Sequence, residues 1–389
     1  MSEIKYALIT TVDQSIKSFM LPYAEKLSDK GYKVYLICNF TDENYEKYSK
    51  SYECINIDMK RGFDFFSTIK TIYTLKKFFL KEKITVAEYG TENAAFCASI
   101  AAKISKVPVR IYDHWGARYV GFEGFFRKLS KLIEKIASKF STDIRQVSEK
   151  NMKMCIDDGL YKPDKVKVLG KGGTVGVDFS VFDYSQKSTF NKSVRDQLNI
   201  SYDSFIYGFV GRIQSDKGLN ELLAAFKTIV NDNENVFLVI VGAEDNVNPL
   251  NPELIEWAKN STRVFFTGPV NDVYRYISCF DVLVHPTYRE GFGMVLQEAG
   301  ALKVPIITTD IIGPGEFIID KETGELVPPK DVNQLYSVMK KYLLDRELIS
   351  NYAERNYNYT KSFFERQVMV NRIVDDRVSV INNRIHNSL

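Results

Sequence analysis

Glu290 and Glu298 stand with seven residues between them, at the two ends of Glu290-Gly-Phe-Gly-Met-Val-Leu-Gln-Glu298. Carboxylates accept hydrogen bonds from hydroxyls, so such a pair can hold a sugar or a ribose diol. Gly291 and Gly293 let a backbone approach a ligand closely and take conformations that a Cβ forbids. The helical pattern that begins near Gly293 offers unpaired N–H groups and the positive end of a dipole, which suits a phosphate. Eight positions are a little over two helical turns, so the carboxylates need not share one face. They read as touching two ends of one extended ligand. Taken alone, the spacing fits two surface carboxylates flanking a helix start about as well.

A second constellation is Gly211-Arg212-Ile-Gln-Ser-Asp-Lys217-Gly218. It follows an apolar run at 205–210 and precedes a helical pattern from Leu219. A loop after a parallel strand, beside a helix N-terminus, is a place for a diphosphate. Arg can bind two oxygens there and Lys adds a point charge. The Gly-Lys-Ser/Thr order of a Walker loop is absent. On their own the two residues could equally be surface bases on a loop. His114, in Asp113-His114-Trp115-Gly116, closes an apolar run at 109–112 and is one of three histidines. A lone histidine is usually structural or incidental, and Asp113 could orient its ring.

These residues need strands to present them. Residues 281–285 read as a buried strand stopped by Pro286, followed by a loop, a helix through Gln297 and Glu298, a strand at 304–308, the turn Gly313-Pro-Gly315 and a helix opened by Glu316. This is strand, loop and helix twice over, the pattern of a doubly wound sheet whose ligands sit at the carboxyl ends of strands. Strands are expected at 6–11, 34–38, 85–89, 109–112, 144–148 and 166–169, then at 205–210, 236–241 and 264–267. Helices are expected at 18–30, within 60–83, at 94–104 and 122–140, at 274–279, around 334–344 and 346–358, and at 363–382. The glycine-rich 170–178, KGGTVGVD with its leading glycine, reads as the hinge between domains. The domains are then 1–178, 179–362 and a terminal helix, 363–389.

Composition bounds the rest. With 389 residues the chain suffices for two domains, and 45% apolar with 26% charged residues is globular. A net charge of +3 is too small to argue for nucleic acid. The five cysteines are scattered without a CxxC and read as reduced thiols of a cytosolic protein. The first residues read as a strand rather than a signal peptide, and no run of about 18 apolar residues would span a bilayer. Two segments mix aromatics with bases. One is KRGFDFFSTIKTIYTLKKFFLKEK from Lys60. The other, 122–140, carries Phe122, Phe125, Phe126, Leu129, Leu132, Ile133 and Ile136 as one stripe, with Arg127, Lys128, Lys131, Lys135 and Lys139 on other faces. Such a helix either packs its stripe on its own sheet, with its lysines solvated, or meets anionic lipid or grips the diphosphate of a lipid-linked ligand.

The Glu290–Glu298 segment resembles the motif of the family 4 retaining glycosyltransferases. FVGRIQSDKGLNELLAAF, FFTGPVNDV, GELVPPKD and KGGTVGVD are similar to the same family and come in its order. The resemblance covers nearly the whole chain, is densest over 171–330, and is nearest to bacterial enzymes that extend lipid-linked oligosaccharides or surface polysaccharides from UDP-sugars. It implies a GT-B fold, with two Rossmann-like domains facing across a cleft and a terminal helix returning to the first. It implies transfer of a hexose-type sugar, without a metal ion, from a nucleoside diphosphate sugar, UDP before GDP, to a saccharide hydroxyl on a polyprenyl diphosphate carrier. Arg212 and Lys217 would neutralise the donor phosphates, Glu290 grip the sugar, and His114 face it from the first domain. Val270, Gly291, Phe292, Gly293, Met294, Val295 and Glu298 would complete the donor site. Thr11 stands where the family often has a glycine-rich loop, and Thr11, Phe125, Phe126, Arg127, Lys128 and Lys131 are acceptor or membrane candidates. No Asp-x-Asp occurs, consistent with protein groups in place of a metal. The implied place is the cytoplasm, with a peripheral position on the inner face of the membrane left open. The alternatives are a nucleotide-sugar epimerase of the same architecture and a non-catalytic sugar-nucleotide-binding subunit.

Overall fold

The structure is a computed structural model that describes residues 3–60, 62, 64–244 and 249–386. Arg61 and Phe63, in the first basic-aromatic segment, lie outside the described residues. The chain divides into two compact units, residues 1–175 with 367–389, and residues 176–366.

The first unit is built on a seven-stranded sheet of order β3-β2-β1-β4-β5-β6-β7. Its strands are β1 (Lys5–Val12), β2 (Lys33–Asn39), β3 (Glu53–Asn56), β4 (Val86–Tyr89), β5 (Val109–His114), β6 (Asp143–Gln146) and β7 (Val166–Val168). Every ladder is parallel. β4 is buried at every position and β1 at its six inner ones, as expected of strands covered on both faces. β3 has no counterpart in the sequence reading, because Glu53-Cys-Ile-Asn56 is too short and polar to show a period. The helices that bear on the site are α1 (Phe65–Glu82), α2 (Glu92–Ile104) and α3 (Gly124–Phe140). The helix expected at 18–30 starts earlier. Helical backbone runs from Asp13 to Asp29 with a π turn at Ile16–Met20, and Asp13 accepts from Thr41 N and Asn44 Nδ2.

The second unit carries a six-stranded parallel sheet of order β10-β9-β8-β11-β12-β13. These strands are β8 (Phe205–Val210), β9 (Val236–Val241), β10 (Val264–Gly268), β11 (Val282–His285), β12 (Ile306–Thr309) and β13 (Glu325–Val327). Its helices include α4 (Leu219–Asp232), α5 (Met294–Ala301) and α6 (Arg346–Phe364). The sequence of strands reverses between β8 and β11, which places a crevice at their carboxyl ends.

The terminal helix starts later than the expected 363–382 and continues as a π turn at Asn382–His386. Phe363 and Phe364 finish α6, Glu365 is extended and bridges Val177, and α7 runs Arg366–Ile381. α7 belongs with the first sheet, and charge fixes it there. Arg377 is buried and donates to Glu88 Oε1 at 2.7 Å and Asp113 Oδ1 at 2.7 Å. Tyr23 and Tyr6 also donate to Glu88, while Asp376 takes a two-pronged contact from Arg145 at 2.7 and 3.0 Å. Burial and the charge of Glu88 push the Asp113 carboxyl well above the usual range. Burial acts the same way on Glu88, but Arg377 outweighs it and keeps Glu88 low. Arg377 thus serves the Glu88 and Asp113 carboxyls together, and its Nη1 also donates to Asp376 Oδ2 at 2.8 Å. Replacing Arg377 with Met should strand a buried carboxylate and cost about 3–5 kcal/mol. Denaturant unfolding measures this, and a loss below about 1 kcal/mol would mean that the cluster does not anchor α7.

Candidate functional site

The crevice of the second unit lies between two loops. One leaves β8 and carries Arg212 to Gly218; the other leaves β11 and carries Pro286 to Gly293. They are sewn together by Tyr288 N donating to Asp216 O at 2.9 Å, by Thr287 Oγ1 at 3.4 Å from the same oxygen, and by Arg289 Nη2 at 3.5 Å from Asp216 Oδ2. Gly218 makes the approach feasible. Its φ is +70°, and a Cβ there would lie 1.9 Å from Pro286 O.

Across this seam Lys217 Nζ meets Glu290 Oε2 at 2.7 Å and Arg289 O at 3.4 Å. His285, at the end of β11, places Nε2 3.7 Å from the same Glu290 oxygen. Burial alone would raise the Glu290 carboxyl, but His285 and Lys217 outweigh it and hold it far below the usual range. Glu290 is therefore an anion at neutral pH, fixed at a strand end beside a cation. His285, Asp216 and Thr287 were not singled out in the sequence. Asp216 and Thr287 are common loop residues, and His285 reads as the tail of a strand, so only the fold reveals their service to Lys217 and Glu290.

The rest of the Glu290–Glu298 segment turns into α5. Gly293 caps it with φ +86°, where an L side chain would be strained, and Gly291 N meets Glu290 Oε1 at 3.2 Å. Met294 and Val295 are half-buried on the first turn. The Phe292 ring is buried and packs 5.5 Å from Phe364 and 6.2 Å from Phe317, which leaves its backbone to face a ligand. Glu298 is half-buried, and the protein around it lifts its carboxyl to about 7 against the opposing pull of Arg366. Arg212 is exposed on the first loop, and Val270 is half-buried after β10.

Residues 190–359 match the model of glycosyl transferases group 1, and residues 7–148 that of a glycosyl transferase 4-like domain. The capsular polysaccharide biosynthesis glycosyltransferase CapM of Staphylococcus aureus is 32% identical over 361 residues, 93% of each chain. The chain belongs to the family 4 glycosyltransferases of GT-B fold. A second relative is the UDP-Gal:alpha-D-GlcNAc-diphosphoundecaprenol alpha-1,3-galactosyltransferase of Escherichia coli. It is 23% identical over 98% of this chain and 99% of its own. A solved glycosyltransferase of Rickettsia africae shares the fold with a TM-score of 0.81 at 16% identity, covering 98% of this chain and 100% of that one.

In the first unit of this glycosyltransferase two of the expected site residues, His114 and Thr11, have enclosed surroundings. The His114 ring is buried at 2% exposure. Nδ1 lies 3.0 Å from Gln146 Nε2, and the ring stacks on Tyr112 at 5.0 Å. Nε2 is 3.2 Å from Glu134 Oε2, an ion-pair distance without the line-up of a hydrogen bond. Burial opposes its charge, yet Cys155 and Glu134 raise it to about 10. His114 is thus an enclosed, protonated ring facing α3, and Asp113 does not orient it, because successive strand residues point to opposite faces and Asp113 is turned to Arg377. Thr11 is also enclosed, with N and Oγ1 at 3.0 and 2.8 Å from Thr91 Oγ1. In contrast, Phe125, Phe126, Arg127 and Lys128 are exposed at the head of α3, while Lys131 is half-buried and pairs with Asp158 at 2.9 Å.

The Glu298 carboxyl has a checkable consequence. Its folded value near 7 lies above the ordinary 4.5, so the folded chain holds more protons than the unfolded one between those values. The stability this contributes is complete below about pH 4.5 and is lost as pH rises through about 7. Glu298→Gln should therefore gain melting temperature relative to wild type as pH is raised. A gap between the two melting curves that stays constant across that range would refute the assignment.

Proposed function

We propose that this glycosyltransferase moves a hexose-type sugar from a UDP-sugar to a hydroxyl of a saccharide carried on a polyprenyl diphosphate, with retention of anomeric configuration and without a metal ion. The observation that carries this reading is the Lys217–Glu290 contact at the reversal point of the second sheet. It sets a phosphate-binding cation beside a hydroxyl-binding carboxylate. The name of the Escherichia coli relative supports the donor and the carrier, since that protein uses UDP-Gal and a diphosphoundecaprenol acceptor.

The bond that breaks joins the anomeric carbon to a phosphate oxygen, and the sugar passes through an oxocarbenium-like state. Negative charge grows on the departing diphosphate, where Arg212, Lys217 and the N–H groups at the start of α5 stabilise it. Glu290 accepts from sugar hydroxyls, and Glu298 in its ionised form accepts from the ribose. Val270 and the backbone of 291–295 complete the donor site. The acceptor oxygen attacks on the face that the leaving group vacates, and its proton passes to the leaving phosphate oxygen. Among the described residues no helix is long and apolar enough to cross a membrane. The exposed phenylalanines and bases of α1 and α3 would instead hold the chain at the bilayer surface, where a lipid-linked acceptor resides.

The deciding experiment measures nucleoside diphosphate release from UDP- and GDP-sugars with and without a polyprenyl-diphosphate-linked saccharide. Release from a UDP-sugar that depends on the lipid acceptor, with a product of the donor's anomeric configuration, is expected. An inverted product would sink the retaining mechanism, and conversion of the donor to an isomer without release would favour an epimerase.

Arg212→Ala and Lys217→Ala should each lower turnover by about 2–4 kcal/mol of transition-state stabilisation, a fall of roughly thirtyfold to a thousandfold. Steady-state rates at saturating donor test this, and wild-type turnover in both variants would remove the diphosphate assignment.

A further inference from the structure

α3 divides its faces unexpectedly. The stripe of large apolar residues read from the sequence does not pack as a unit. Ser130, Ile133, Glu134, Ala137 and Ser138 are buried, whereas Phe125, Phe126 and Leu132 stand outward at 72%, 68% and 53% exposure. A surface helix that met only water would turn such side chains inward. α1, which like α3 packs on α2, leaves Phe65 and Phe66 outward at 60% and 83%. The one acid of α3, Glu134, is buried and accepts from Arg118 N at 2.9 Å, so the exposed charges of this helix, Arg127, Lys128, Lys135 and Lys139, are all basic.

Beside α2 and α3 opens a cavity of about 290 Å³. Phe122, Phe126, Leu129 and Ile133 form its apolar wall, and Gly62, Glu92, Asn93, Arg118 and Ser130 complete the lining. Much of the polar wall is already paired, and Asn93 Nδ2, also on it, donates to Gly62 O at 2.9 Å. Glu92 accepts from Ser130 Oγ and from Arg118 Nη1 at 2.8 Å, and the Arg118 guanidinium lies 5.5 Å from the centre of the Phe122 ring. A peptide would find few partners there for its backbone groups, whereas a hydrocarbon asks for none. At roughly 30 Å³ for each water-sized group in a liquid, the space admits about ten carbons, or about two isoprene units. Phe126 belongs both to the cavity wall and to the exposed apolar ridge, so a chain lying along the ridge can enter.

We propose that this cavity seats isoprene units of a prenyl diphosphate, the lipid carrier of the acceptor, with the diphosphate drawn to the basic face of α3. The assignment rests on the lipid-linked acceptor proposed above. It is tested by titrating the full chain with farnesyl diphosphate and, separately, with inorganic diphosphate. Two variants accompany the wild type: Leu129→Trp, which fills the cavity, and Phe126→Asp, which alters an exposed ring and so spares the core. Wild type should prefer farnesyl diphosphate by at least about tenfold, and both substitutions should erase that preference while leaving the melting curve in place. Equal affinity of wild type for the two ligands would overturn the proposal. So would wild-type farnesyl diphosphate affinity in Leu129→Trp. Loss of binding to phosphatidylglycerol vesicles in Phe126→Asp, with farnesyl diphosphate binding retained, would make the face a bilayer contact only and overturn the cavity assignment. Prenyl binding needs no donor sugar, so failure of the transfer reaction and failure of this site are separately visible.

Discussion

The 2.7 Å contact between Lys217 and Glu290 holds the second unit's crevice in its shape. A parallel sheet whose order reverses sends neighbouring loops to opposite sides, and the gap they leave would be slack without a tie. Here the tie is an ion pair, backed by Tyr288 N on Asp216 O and by a glycine that lets Pro286 O come close. These contacts orient both charged side chains, and such preorganisation is what a charge-stabilising site requires. On the proposed reading the pair is also a placeholder. Phosphate oxygens would compete with Glu290 for Lys217, while sugar hydroxyls would take up the acceptors of Glu290. The exchange replaces one charged contact with several, so the desolvation already suffered by the pair need not be incurred again.

The first unit solves a different problem with the same means. α7 is distant in sequence from the sheet it covers, and a purely apolar helix could slide on that surface. The buried guanidinium of Arg377 reaches Glu88 on β4 and Asp113 on β5, and Asp376 beside it reaches Arg145 on β6. Three strands are thereby addressed by two adjacent residues. Such a network has directional geometry that apolar contact lacks, so it selects one register of α7. Because Glu88 and Asp113 share one guanidinium in a buried space, burial and the charge of Glu88 push the Asp113 carboxyl well above its usual range.

Much of the fold was legible in the chain. The long buried strands showed as apolar runs between turn residues, and the loops after β8 and β11 showed as glycine-bearing segments with charges at strand ends. The sequence placed Arg212, Lys217, Glu290 and Glu298 on loops or helix starts of that kind, and the fold brings Lys217 and Glu290 into contact although 73 positions separate them. What was not legible depended on orientation. A strand-end histidine can face a ligand or the helix that covers its sheet, and periodicity does not say which; for His114 the covering helix offered Glu134 and the ring turned to it. Thr11 was settled by Thr91, a partner 80 residues away. The join between α6 and α7 leaves no local signal, because Phe363, Phe364 and Glu365 are all compatible with a helix, and the extended backbone at Glu365 comes from its bridge to Val177.

The same distinction explains α3. Its apolar residues recur at helical spacing, which fixes that a helix forms but not what covers it. Packing against α2 calls for small side chains when two helices approach closely, and α2 itself is rich in alanine: Ala94, Ala95, Ala98, Ala101 and Ala102 are all buried. Ser130, Ala137 and Ser138 supply the matching small face of α3. Once that face is committed inward, the helix geometry turns Phe125, Phe126 and Leu132 outward. Exposed aromatics of this size are a solubility cost unless something apolar covers them. Their basic neighbours and the cavity beside them make an anionic amphiphile with a hydrocarbon chain the occupant that answers both features together.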